Sequence, residues 1–177
     1  MLKHRRFSSL KQLLKSLEGN KPHLWSHLGN PLLSRRNFIL LTTVGIIMGK
    51  YLTPHFSQAE MTCRGTGQCE MDPEFMELLE RIRMEYGKGM IVTSGFRAPR
   101  YNQTISPKTG KTGPHTTGRA ADILVAGPDA YALMQIAQSL GATGIGISQR
   151  GDHAKRFIHI DNLGADYAGP RPFVWSY

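Results

Sequence analysis

The sequence predicts a small α+β domain with helices packed on an antiparallel sheet. Three observations carry that prediction. Two segments place apolar residues at helical spacing between a start signal and a glycine stop, several short runs are β-branched and apolar, and 177 residues suffice for one domain with its own core.

The chain begins with a lopsided charge. Residues 1–36 carry eight Lys and Arg against one acidic residue, and the other 141 carry fourteen against twelve. The net charge of +9 therefore sits mainly in this leader. A nucleic-acid-binding domain would want a basic stripe on its folded part; none stands out, which argues against a nucleic-acid partner. Leu10, Leu13, Leu14 and Leu17 recur at helical spacing between lysines, which reads as a long basic n-region or a start-site artefact. Ser34-Arg35-Arg36-Asn37-Phe38-Ile39-Leu40 resembles the twin-arginine signal and implies the twin-arginine export machinery as a partner. An uncharged apolar run follows from Phe38 to Gly49, then Pro54 and a small-x-small site at Ser57-Gln58-Ala59. The run is short for a membrane span. The expected division is a leader over 1–59 and a folded domain over 60–177, with membrane contact only through the leader. An uncleaved anchor with its basic side cytoplasmic is the alternative.

Cys63 and Cys69 flank Arg-Gly-Thr-Gly-Gln just past the presumed cleavage site. An oxidising compartment would permit a small disulfide loop, and free thiols are the alternative. Two thiols alone are too few for a zinc site.

Asp72-Pro73 reads as a cap followed by a first-turn proline. Phe75, Leu78, Leu79, Ile82 and Tyr86 then recur at helical spacing until Gly87 ends the helix. Met90 to Ser94 reads as a strand that delivers Arg97 and Asn102 into a long Gly-, Pro-, Thr- and Lys-rich loop, Arg97 to Pro114, expected to be a mobile cleft wall. Ala120 to Val125 is the next strand. Gly127-Pro128-Asp129 starts a second helix, with Tyr131, Leu133, Met134, Ile136, Ala137 and Leu140 expected inward and Gly141 closing it. Gly144 to Ser148 and Arg156 to Asp161 read as a hairpin, and the tail Arg171 to Tyr177 as another strand or a core plug. Gly144-x-Gly146 is too short to be a nucleotide loop.

Strand alternation puts Ala120, Asp122 and Leu124 on one face, and Phe157, His159 and Asp161 on one face. A polar residue among apolar neighbours on a strand should be buried, and a buried carboxylate is costly unless paired or bound to metal. His115 lies on the loop leading into the Asp122 strand, where Gly118 permits a tight turn and Ala120 and Ala121 leave room for close packing. Singly, each is more often a hydrogen-bonded His or a capping Asp. Together, two imidazoles and one carboxylate are a usual ligand set for a catalytic zinc, which keeps a fourth position for water.

Ser94-Gly95-Phe96-Arg97, His115-x-x-Gly118-x-Ala120-x-Asp122 and Phe157-Ile158-His159-Ile160-Asp161 resemble the D-Ala-D-Ala metallopeptidase family of zinc enzymes, over about Met71 to Trp175. The look is that of its short, single-domain murein peptidases. The resemblance implies a fold shared with the Hedgehog signalling domain and Zn2+ as cofactor. It implies His115, Asp122 and His159 as ligands, and Arg97 in the substrate cleft, holding a carboxylate or a developing oxyanion; a surface salt bridge is the plainer role for Arg97.

Many members of that family place a Glu or Asp three residues before the last ligand as general base. Here that position is Arg156, which cannot serve. Asp152 and His153, just upstream, are the expected catalytic substitutes, with a solvated turn as the alternative reading of their loop. Asp161 would orient an imidazole, or itself be the base. The expected function is zinc-dependent hydrolysis of a peptide bond in peptidoglycan, in the periplasm or cell envelope. The alternatives are a D-Ala-D-Ala-type carboxypeptidase and a non-catalytic, zinc-containing peptidoglycan-binding module.

Overall fold

Strand alternation gives one sheet two different faces. Ala121, Ile123, Ile145, Ile158 and Ile160 point to one side and are almost wholly buried in the main core. Ala120, Asp122, Gly144, Gly146, His159 and Asp161 occupy the alternate positions and form the other side. The first side is closed by helices; the second carries the polar groups.

The computed structural model describes residues 51–167 and 169–177. The twin-arginine-like segment, the apolar run and the amphipathic leucines lie outside the described residues. The elements are strands β1 (Tyr51–Thr53) and β2 (Phe56–Ser57), helices α1 (Gln58–Met61) and α2 (Pro73–Tyr86), strand β3 (Ile91–Ser94), helix α3 (Pro99–Ile105), strand β4 (Ala120–Leu124), helix α4 (Gly127–Ser139), and strands β5 (Gly144–Ser148), β6 (Phe157–Asp161) and β7 (Phe173–Ser176). This is the α+β class that the sequence predicts. β3, β4, β6, β5 and β7 form one sheet in that order. The first three pairings are antiparallel, and β5 with β6 is the expected hairpin pair. The tail is a strand, but it adds parallel to β5, so the sheet is mixed at that edge.

The helices begin and end where local chemistry says they should. The Asp72 carboxylate accepts from Phe75 N at 2.9 Å, Pro73 fills the first turn, and Gly87 ends α2 in the left-handed region at φ 69°. Phe75, Leu78, Leu79 and Ile82 of α2 join Ala130, Leu133 and Ala137 of α4 over the isoleucine face. Tyr131, expected inward, is 60% exposed. Ala130, Leu133 and Ala137 form the buried stripe, and Tyr131 is one 100° step off it, its hydroxyl accepting from Gln135 Nε2 at 3.0 Å.

Two further departures concern the chain around the site. The segment 97–114 is not irregular throughout: α3 and a 3₁₀ turn at Gly110–Thr112 lie within it. The buried Asn102 amide ties these together, donating to Thr109 Oγ1 at 3.1 Å and to the Gly110 carbonyl at 2.6 Å. α3 is short and has one buried residue, so it leaves no periodic signal to read. The second departure is at the start. Residues 51–59, assigned to the leader, fold with the domain. Phe56 is 1% exposed in the main core, Ser57 and Glu60 form a capping box on α1, and His55 bonds the buried Glu80 of α2 through both its backbone N–H and its imidazole.

If this hairpin belongs to the domain, Phe56→Ala should destabilise it by about 3–5 kcal/mol, as expected for deleting a buried aromatic ring. Urea unfolding followed by tryptophan fluorescence reads this out; an unchanged midpoint would show that the hairpin packs without contributing to stability.

Candidate metal centre

The register of the sheet assembles the polar groups. Asp122 on β4 and His159 on β6 are directly opposed, so their side chains rise from the same face as neighbours. His159 Nδ1 lies 2.8 Å from Asp122 Oδ1. His115 reaches the same oxygen from a 3₁₀ turn, Pro114–Thr117, with its Nε2 at 3.2 Å. One ligand atom from each of the three lies within 4.8 Å of the others, and all three residues are buried.

The His115 turn is held by its backbone. Gly118 sits at φ 72°, and a Cβ there would lie 2.0 Å from the Glu70 carbonyl, so only glycine fits. Its carbonyl accepts from Asp72 N at 3.0 Å, and the His115 carbonyl accepts from Arg97 N at 3.1 Å. The His115 Nδ1–H donates to the Gly95 carbonyl at 2.8 Å. That commits Nδ1 and leaves the Nε2 lone pair facing a carboxylate oxygen. Burial holds this imidazole below its ordinary pKa of 6.5, that is, neutral. A lone pair against a carboxylate is repulsive unless a cation sits between them. Two imidazole nitrogens and one carboxylate oxygen are a zinc-type donor set, so the residues present fit a metal of that kind.

His159 is the opposite case. Burial alone would lower its pKa, but hydrogen bonds to Asp122 and Asp161 outweigh burial and raise it. Asp122 in turn is held far below the usual carboxylate range by the two histidines, against the cost of burial. Arg97 Nη2 donates to Asp122 Oδ2 at 2.7 Å, and its Nε donates to Ser94 Oγ at 2.7 Å. Arg97 is therefore a partly buried partner of the carboxylate, not an exposed surface pair, and it also lines the cleft. Asp161 lies behind His159, its Oδ2 accepting from Nε2 at 3.3 Å. Thus Nε2 of His115 and Nδ1 of His159 face the common oxygen, while each ring's other nitrogen donates outward.

Asp152 and His153 are not brought to this site. They lie on an exposed loop with a 3₁₀ turn at His153–Lys155, and neither lines the cleft. The Asp152 carboxylate accepts from Ala154 N at 3.0 Å, and Arg156 donates twice to the Gly151 carbonyl, so the loop closes on itself. Closeness in sequence to His159 does not carry over, because the chain turns away before β6 begins.

The site opens into a cleft of about 670 Å³. One wall is the 102–114 segment. The other is an aromatic row, Phe157, Phe173, Trp175 and Tyr177. The Trp175 ring lies over Gly146, where a Cβ would be 2.7 Å away, and its centroid is 5.2 Å from the His159 ring. The sequence placed Phe157 on the His159 strand and Arg171 to Tyr177 in another strand or a core plug, without assigning any of them to the cleft. The alternation Phe173-x-Trp175-x-Tyr177 was the available signal for a shared face; the parallel pairing that sets it beside the ligands was not readable. Cys63 and Cys69 are free thiols, and Cys63 Sγ accepts from Ala98 N at 3.3 Å, next to Arg97.

The family model described as Peptidase M15 matches residues 54–161, more than half of the chain and every ligand candidate. No curated protein matches the chain at a significant level.

Both ring nitrogens of His159 face carboxylate oxygens, and these hydrogen bonds raise its pKa, so a metal at Nδ1 competes with a proton there. Zinc binding should therefore release protons, and apparent affinity should rise with pH across the range in which His159 loses its proton. Calorimetric titration in buffers of different ionisation enthalpy measures the release. His115→Ala and His159→Ala should abolish stoichiometric zinc by elemental analysis; parental zinc content in both would remove the site.

Proposed function

The chain belongs to the peptidase M15 family, and we propose that it is a zinc metallopeptidase that hydrolyses a peptide bond in peptidoglycan stem peptides or cross-links. The observation that carries the proposal is the convergence of His115, Asp122 and His159 at the floor of an open cleft. Zinc held by these residues would polarise the scissile carbonyl and bring the pKa of a water toward neutrality.

The chain's own residues do the rest. Arg97 fixes Asp122 through Nη2, and its Nη1 has no hydrogen-bond partner among the described residues, so it is free for a substrate carboxylate or a developing oxyanion. Asp161 holds His159 in one ring orientation. The aromatic row shields one side of the cleft from water and gives an extended substrate an apolar surface.

A second reading has a specific observation in its favour. Among the described residues, the cleft offers no carboxylate besides Asp122 and no imidazole besides His115 and His159. Asp161 is spent on four hydrogen bonds. A side-chain base of the family's usual kind is therefore missing, as a non-catalytic, zinc-containing peptidoglycan-binding module would allow. A D-Ala-D-Ala-type carboxypeptidase differs from an endopeptidase only in which bond is cut.

We place the protein in the periplasm or cell envelope, delivered by the twin-arginine machinery through Arg35 and Arg36. The packing of Phe56 and the capping of α1 by Ser57 favour a domain that includes Tyr51 to Ala59, so that cleavage after Ala59 does not occur.

Mass spectrometry of muropeptides from digested sacculi tests the activity. The parent should produce chelator-sensitive products that have gained one water, and Arg97→Ala should lower kcat by about 10²–10³-fold, as for loss of one oxyanion donor. Product masses separate a released terminal D-amino acid from an opened cross-link. Zinc-loaded protein that binds sacculi and releases nothing would leave the binding module. For export, cell fractionation should find the Arg35→Lys, Arg36→Lys double variant in the cytoplasm, and the intact mass of the exported parent should include Tyr51 to Ala59. Unchanged export of the double variant would count against the twin-arginine reading, and a mass beginning at Glu60 against the boundary.

A further inference from the structure

Asp161 is completely buried, in a hollow that exists because Gly144 has no side chain: a Cβ there would lie 2.1 Å from Asp161 Oδ2. Each carboxylate oxygen has two donors. Oδ1 accepts from Leu163 N and from Arg171 Nε, both at 3.2 Å. Oδ2 accepts from Arg171 Nη2 at 3.2 Å and from His159 Nε2 at 3.3 Å. Arg171 thus grips the carboxylate with a two-pronged fork, which fixes the plane of the group and not only its charge. The Arg171 side chain is 8% exposed, its Nη1 donates to the Pro170 carbonyl at 3.1 Å, and its guanidinium carbon lies 5.8 Å from the Trp175 ring centroid.

We infer that Arg171 is a positioning residue for the metal centre: by locking Asp161 it holds His159 with Nε2 turned outward and Nδ1 presented to the metal. The argument is one of ring orientation. Turning the imidazole over about its Cβ–Cγ bond would put carbon where each nitrogen now sits, so a ligand atom would be lost. What selects the present orientation on the outward side is the hydrogen bond to Asp161 Oδ2. Without the fork that oxygen keeps only the His159 donor, and Oδ1 keeps only Leu163 N. The carboxylate could then rotate and would be buried without its cationic partner. Arg171 lies ten residues past the end of the family match, on the connection between β6 and β7. That connection also carries Tyr167, whose hydroxyl donates to the Thr112 carbonyl on the opposite cleft wall. The segment after the last motif is therefore built onto the metal site.

The inference rests on the metal-centre reading but not on catalysis, so it is tested by metal binding. Competition for Zn2+ between the purified protein and a chromophoric chelator gives the affinity of the parent, Arg171→Ala and Arg171→Lys. Arg171→Ala should weaken binding by about 10–100-fold, the usual cost of losing an outer partner of a ligating histidine. Arg171→Lys should fall between, because one ammonium supplies the charge without the fork. Long-range ¹H–¹⁵N spectra of the histidine rings supply a readout that general destabilisation does not move. The zinc-loaded parent should show His159 protonated at Nε2 in one ring state, and the variants a mixture. If Arg171→Ala does not fold, Arg171→Lys carries both measurements. Parental zinc affinity together with a single Nε2–H state in the variants would overturn the inference. A parent that binds no zinc would overturn the metal-centre reading itself, whereas one that binds zinc but leaves peptidoglycan intact would remove only the proposed activity.

Discussion

The Asp122 carboxylate is the constraint around which this domain is arranged. It sits on a central strand, 6% exposed, where a free carboxylate would cost several kcal/mol of lost hydration. Arg97 on Oδ2 and His159 on Oδ1 answer that cost, and a cation shared between Oδ1 and the Nε2 lone pair of His115 would complete the answer. Each comes from a different stretch of chain, so compensating one charge brings together the β3 exit, the loop before β4, and β6. The same compensation produces a metal-type donor set. The interaction that makes the buried charge tolerable is also the one that gives the site its chemistry.

The site needs space as much as charge, and the sheet supplies it by leaving atoms out. On the polar face, β5 contributes glycines at 144 and 146 while its other face contributes Ile145 and Ile147. Glycine in a strand costs conformational entropy. Here it opens two adjoining hollows, filled by the Asp161 carboxylate and by the Trp175 ring. The isoleucine face, packed under α2 and α4, offsets that loss through apolar burial. A rigid floor and an open hollow are thus consequences of one alternating pattern.

The loop before β6 illustrates how far spacing can mislead. Arg156 stands where a carboxylate base would be expected, and the nearby Asp152 and His153 are chemically suited to replace it. Their backbone, however, forms a turn that satisfies its own donors and acceptors at the surface. A base must first be within reach of its proton, and pKa matters only after that. Geometry therefore keeps both residues out of the cleft that holds His115, Asp122 and His159.

Local chemistry was readable in the sequence because its rules act over a few residues. The Asp72-Pro73 start and Gly87 stop of α2, the β4 and β6 strands and the shared face of His159 and Asp161 all follow from caps and alternation. Asp122 and His159 were legible for the same reason, since a polar residue on an apolar strand is itself a signal, whereas His115, on a turn, was singled out only by the motif it shares with the family. Helix α3 was not, because a seven-residue helix with one buried residue has no periodicity to detect. Nor was the hairpin at 51–57, since a single Phe56 in a segment that also reads as a processing site gives no pattern. Tertiary structure alone decided the parallel placement of β7, the aromatic wall beside His159, the fork of Arg171 on Asp161, and the exclusion of Asp152 and His153. Each depends on which distant segments pack together, and that is set by the whole core and not by any window of sequence.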